Sequence, residues 1–190
     1  MTGVIWLLVE SPNDGQILQT LIRHHYPDVA VEYLKPPGKP SITTLDTNLS
    51  DLIQLARGGK PRRPFGPNDC IAVVHDDDHS ERDRRHHDRI AETCRSHGVV
   101  EIIARDEIEA WLLSDSGVCR WLNTRQETCN TETRPSDRLK SLMNAQKRLR
   151  YPGDTDRVLR ELAFDSTNES YQSALTRLRS SPCIEENPTP

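Results

Sequence analysis

The 190-residue sequence has no apolar run long enough to cross a bilayer. The run Val4–Val9 has the length of a strand and lacks the flanks of a signal peptide, so neither a spanning segment nor a secretory leader is expected. Its five cysteines, Cys70, Cys94, Cys119, Cys129 and Cys183, are odd in number and include no Cys-x-x-Cys pair. They give no disulfide framework and suit a reducing, cytoplasmic setting without a membrane partner. Apolar residues are scarce, at 34%, which favours one modest core over two. Internal repeats are lacking too. The net charge of −4 removes any global argument for nucleic-acid binding.

What is present is an alternation of short apolar runs with amphipathic segments. Val4–Val9 is apolar throughout, as a strand covered on both faces must be. Ser11, Pro12 and Asp14 then form a helix-capping signature, followed by Ile17, Leu18, Leu21 and Ile22 on one helical face. A second strand is expected over Val29–Leu34 and a second helix around Leu45, Leu49, Leu52, Ile53 and Leu55. A third strand follows at Ile71–Val74. A charged helix over about Ser80–Ser96 is closed by Gly98, and a fourth strand covers Val99–Ala104. Parallel strands need crossovers, so this order predicts an α/β fold: a Rossmann-like, four-stranded, mainly parallel sheet with helices on both faces. Beyond Ala104 the pattern is helical, with segments near Glu107–Leu113, Ser136–Leu149, Asp156–Ala163 and Glu169–Arg179. The expected organisation is an α/β domain over 1–113, a helical extension over 114–180 and a disordered tail over 181–190.

The third strand raises a chemical question, because it runs into Asp76, Asp77 and Asp78. Three adjacent anions repel, and neither a strand nor a core accommodates them without compensation. In open parallel sheets ligands bind beyond the carboxyl ends of the strands, where Glu10 and these aspartates all fall. If the backbone stays extended, Asp76 and Asp78 project to one side. Such an oxygen-rich, anionic group suits a hard cation such as Mg²⁺, with Mn²⁺ as a substitute.

The stretches "LLVESPNDGQIL" and "VVHDDD" resemble the TOPRIM domain of topoisomerases, primases and OLD-family nucleases. Its pattern is an apolar strand, Glu-Gly, a polar turn and a later Asp-x-Asp. "RDEIEAWLLSD" is similar to the Glu-Leu-Glu-Ala-Trp segment of small bacterial TOPRIM-like proteins often found beside an ATPase, and "LKSLMNAQKRLRY" to their helical region. The resemblance implies Mg²⁺-dependent phosphodiester cleavage of DNA or RNA in antiviral defence or DNA processing. Glu10 would be general acid/base or metal ligand, and Asp76 and Asp78 metal ligands. It also implies an ATPase partner, and leaves self-association open. Ser11 stands where the family has glycine and His75 precedes the aspartates. Both features favour the alternative, a non-catalytic TOPRIM-like subunit of an ATPase complex.

Other signals need weighing. Asp106 as N-cap with Glu109 three residues on would make a capping box, yet Glu107 and Glu109 would also begin a helix near the metal rim. Both are therefore candidate ligands. Ile108, Trp111 and Leu112 share a helical face and read as core. His75, His79, His86, His87 and Cys94 are close in sequence, but no pair has the spacing of a standard zinc module. The basic loop 57–63 should lie on the amino-end side of the sheet. From Arg134 to Arg160 eight basic residues face three acids. Lys140, Lys147, Arg148 and Arg150 within it are the candidate nucleic-acid contacts.

Overall fold

A computed structural model describes residues 3–59, 64–77, 81–126, 134–181 and 184. The four strands are β1 (Val4–Val9), β2 (Ala30–Leu34), β3 (Cys70–Asp77) and β4 (Val100–Arg105). They form one all-parallel sheet in the order β2-β1-β3-β4. Register runs Val4↔Ala30 to Leu8↔Leu34 on one side of β1, and Ile5↔Cys70 to Val9↔Val74 on the other. β1 leads to β2 on one side, whereas β3 and β4 lie on the other, so the order reverses between β1 and β3. Right-handed crossovers running in opposite directions put their helices on opposite faces.

The described residues form two compact units. The first draws on Met1–His75, His79–Ile102 and Leu175–Pro190, the second on Asp76–Asp78 and Ile103–Ala174. In the first unit, α1 (Pro12–His25) starts as the sequence predicts. Ser11 Oγ accepts from the Asp14 N–H and the Asp14 carboxylate from the Ser11 N–H, closing a capping box. α1 packs on β1 and β2. Gly15 lies against the Tyr33 ring so closely that an added Cβ would be 2.6 Å from ring carbons, so only glycine permits this approach. α2 (Ile42–Gly58), capped by Ser41, and α3 (Arg84–His97), closed by Gly98, cover the other face. There Val4, Trp6, Leu8, Ile71 and Val73 pack with Leu45, Leu49, Ile53, Ile90 and Cys94. Burial and the neighbouring Glu101 push the Cys94 thiol up to about 12, so it serves as an apolar group.

The second unit contains α4 (Glu109–Leu113), α5 (Ser116–Trp121), α6 (Pro135–Lys147), α7 (Thr155–Leu159) and most of α8 (Glu169–Arg179). Asp115, with no exposed surface, organises it. Its Oδ1 accepts from the N–H groups of Gly117, Val118 and Ala163, and its Oδ2 from that of Asp165. Asn168 opens α8, its Oδ1 taking the Ser170 and Tyr171 N–H groups. The Trp111 and Tyr171 rings meet at a tilt of 55° with centroids 5.5 Å apart, and Trp111 donates its indole N–H to Ser170 Oγ.

Several expectations shift. β3 continues through His75, Asp76 and Asp77 rather than ending at Val74, and α3 begins at Arg84 rather than Ser80. α5 has no counterpart in the sequence reading. Cys70 is disulfide-bonded, against the expectation of a reducing setting without a disulfide framework. Cys94 and Cys119 are free. An odd count and the lack of Cys-x-x-Cys do not exclude a single bond. The basic loop keeps Arg57 in α2, donating to the His97 carbonyl, while 60–63 and most of the expected tail lie outside the described residues.

Candidate functional site

Glu10 is the residue after β1, half-buried, and belongs to the first unit. Asp76 and Asp77 are the last two residues of β3, also half-buried, and belong to the second. The strand is extended through Asp77. Asp78, the third predicted ligand, lies outside the described residues, as does His79.

Asp76 has a structural task. Its Oδ1 accepts the Ile108 N–H at 3.0 Å, taking an otherwise unpaired donor at the start of α4. The Asp77 carbonyl accepts the Asp106 N–H at 2.7 Å. Asp106 itself takes φ of 66°, a left-handed conformation that, after glycine, asparagine and aspartate tolerate best. α4 begins at Glu109 with Ile108 in the N-cap position and no side-chain cap bond, so Asp106 is not the predicted cap. Asp76 substitutes from another strand.

That leaves Glu109 with a different partner. Its buried carboxylate accepts the Tyr151 hydroxyl at 2.6 Å. Glu107, equally buried, is held by the Arg134 guanidinium, with Nε 2.9 Å from Oε1, and by the Ser136 N–H at 2.6 Å. Both candidate ligands thus direct oxygens at protein donors. Ile108, Trp111 and Leu112 are core, as expected. Among the described residues no three His, Cys, Asp or Glu side chains gather as a metal-binding group. The chemistry of Glu10 and Asp76, each a carboxylate at the carboxyl end of a central strand, fits a hard cation. That of Glu107 and Glu109 fits less well, because their bonds are already strong, charge-assisted or buried.

The predicted basic contacts separate. Lys147 ends α6 with its ammonium 5.3 Å from the Trp121 ring centroid, a cation–π contact. Arg148 is the left-handed cap of α6. Lys140 and Arg150 line a groove of about 540 Å³ with Asp137, Ser141, Asn144, Leu149 and Tyr151. The sequence reading missed these last five. Asp137, Lys140, Ser141 and Asn144 recur at the i, i+3, i+4, i+7 spacing of one helical face, a signal that a search for charge alone passes over.

His75 is buried, with Nε2 3.1 Å from Glu101 Oε1 and Nδ1 3.1 Å from His87 Nδ1. His86 instead pairs with Asp46, alongside Arg89. These histidines are held by carboxylates and by each other.

Comparison of the chain with family models, with curated proteins and with solved structures gives no match.

Proposed function

We propose that this chain is a Mg²⁺-dependent nuclease of TOPRIM type, cleaving phosphodiester bonds in DNA or RNA together with an ATPase partner. The observation that carries the reading is the strand order. β1, which Glu10 follows, and β3, which ends in aspartates, are central neighbours at the point where the strand order reverses, the preferred ligand position in open α/β sheets. Glu10, Asp76 and Asp78 would hold the ion, with Mn²⁺ able to replace it. When bound, it supplies Lewis-acid polarisation of a phosphoryl oxygen. Glu10 would move the proton of the attacking or leaving oxygen. Asp76 ties the end of β3 to the start of α4, and Lys140, Lys147, Arg148 and Arg150 would neutralise backbone phosphates.

The test is a metal-dependent cleavage assay on mixed DNA and RNA, with and without a neighbouring ATPase. Asp76→Asn keeps an acceptor for the Ile108 N–H while removing the charge a cation needs. It should retain the fold and lose activity by about a hundredfold or more, as should Glu10→Gln. Full activity in both variants would end the assignment.

A second reading has its own observation. Asp76, Glu107 and Glu109 all serve as acceptors for the protein's own donors, as in a non-catalytic subunit that kept the fold for binding. Such a subunit would show no rise in melting temperature with Mg²⁺ or Mn²⁺, whereas a formed metal site must.

A further inference from the structure

We propose that the groove formed by the exposed face of α6 and the Leu149–Tyr151 segment binds a nucleotide through its phosphate. The groove offers two cations of complementary kinds. Arg150 carries a planar fork that matches phosphate oxygens in pairs, and Lys140 a compact point charge. Neither forms an ion pair among the described residues, although cations in this protein pair readily elsewhere, as Arg89 does with Asp46 and Arg134 with Glu107. Ser141 and Asn144 add a hydroxyl and an amide one and four positions along the same helix, each able to donate to an anion.

The wall opposite α6 is held in place. Arg148 caps the helix in a left-handed conformation, and the Arg150 N–H donates to Asp154 Oδ2 at 2.7 Å. Tyr151 is buried with its hydroxyl committed to Glu109, so it contributes a fixed position rather than a donor. The Arg150 guanidinium therefore starts from an anchored backbone, which lowers the entropy lost on binding.

Size and lining set the ligand class. About 540 Å³ lies within the usual range for small-molecule sites and exceeds what a bare phosphate needs. Leu149, half-buried, supplies an apolar contact for a sugar or base. Asp137 supplies a carboxylate that repels phosphate and accepts from hydroxyls or an exocyclic amine. Two cations, one anion and an apolar side fit a phosphorylated nucleoside, either free or at the end of a strand. This deepens the nucleic-acid reading above without needing the metal.

The experiment is calorimetric titration of the full chain with adenosine monophosphate, adenosine, inorganic phosphate and a terminally phosphorylated oligonucleotide. Saturable binding of the monophosphate is expected, with no binding of adenosine. Lys140→Gln with Arg150→Gln should weaken it roughly tenfold or more, and Arg57→Gln with Arg95→Gln, on α2 and α3, should leave it unchanged. Tighter binding of the oligonucleotide than of the monophosphate would assign the groove to strand ends, and the reverse to free nucleotide. Inorganic phosphate binding as tightly as the monophosphate would overturn the nucleotide class. Absence of saturable binding, or indifference to the Lys140/Arg150 pair, would overturn the site. Binding that persists in a protein without nuclease activity would leave the groove standing and remove only the nuclease reading.

Discussion

The two units solve the problem of holding a chain together in different ways. In the sheet unit, alternating side chains of β1 and β3 are clamped between helices, and the core is aliphatic. In the helical unit the short helices α4, α5 and α7 bury little each, and polar groups do much of the work. Among the described residues, Glu107, Glu109, Ser114, Asp115, Thr155, Ser166 and Asn168 are buried there, against Asp69, His75 and Ser181 in the sheet unit. Non-directional burial tolerates substitution of similar volume. Buried polar networks do not, because an acceptor removed leaves its donors stranded.

The comparison can be broken most directly at Asp115. Asp115→Ala strands four backbone N–H groups and should cost about 4 kcal/mol or more in urea unfolding, with hydrogen exchange accelerated chiefly across 103–174. An effect under about 1 kcal/mol would show that water replaces the carboxylate and that the helical unit is not polar-held. In the sheet unit, Leu49→Ala should cost about 3 kcal/mol through lost burial and a cavity, while Leu49→Met should be mild. No such tolerance is expected at Asp115, where even Asn turns an acceptor into a donor. Tyr151→Phe is the next step down. It leaves the buried Glu109 carboxylate short of one donor and should cost about 2 kcal/mol by thermal or urea melting.

The smallest expected effects are acid-sensitive and fall in both units. Burial pushes the Asp46 carboxyl up, but hydrogen bonds from Arg89 and His86 outweigh it and hold the group below its ordinary value of 3.8. Hydrogen bonds from the Ser116 hydroxyl and N–H likewise hold Asp165 below the usual range. A folded pKa below the unfolded one gives stability that is present above the unfolded value and lost as pH falls through the folded one. Melting temperature measured downward from pH 5 should therefore drop less steeply in Arg89→Gln and in Ser116→Ala than in the unaltered chain. Parallel curves would remove these two carboxylates from the acid response.

The same contrast explains what the sequence revealed. β1 and the capped start of α1 were legible because an unbroken apolar run and a capping signature are local signals, and α8 was bounded correctly at Glu169–Arg179. The α/β class followed from the alternation itself. β3 was read too short because charge argues against a strand, yet its last residues bond to the Asp106–Ile108 turn through Asp77 carbonyl and Asp76 carboxylate. The capping box read at Asp106 and Glu109 failed for a related reason: a left-handed Asp106 and a cap supplied from residue 76 leave no local trace. Glu107 and Glu109 matched a ligand pattern, but nothing in the spacing announced Arg134 or Tyr151 as partners. Groove residues Ser141 and Asn144 were visible only to periodicity. The expected boundary at 113 fell after the helix that follows the fourth strand, whereas the second unit takes in Ile103–Ala174 together with Asp76–Asp78, the Arg105 N–H reaching Ser170 Oγ within it.

The Trp111–Ser170 bond closes a loop of 59 residues, and the Asp115 bonds to Ala163 and Asp165 close loops of 48 and 50. During synthesis, at roughly 5–20 residues per second, the tryptophan leaves the ribosome several seconds before its partner exists. Throughout that interval the strongly apolar segment Ile108–Leu113 lacks part of its native cover, since α5 and α6 come before the Asn168–Tyr171 segment that bonds to Trp111. A nascent chain stalled between Leu113 and Asn168 should therefore be a chaperone client, and one stalled well past Arg179 should not.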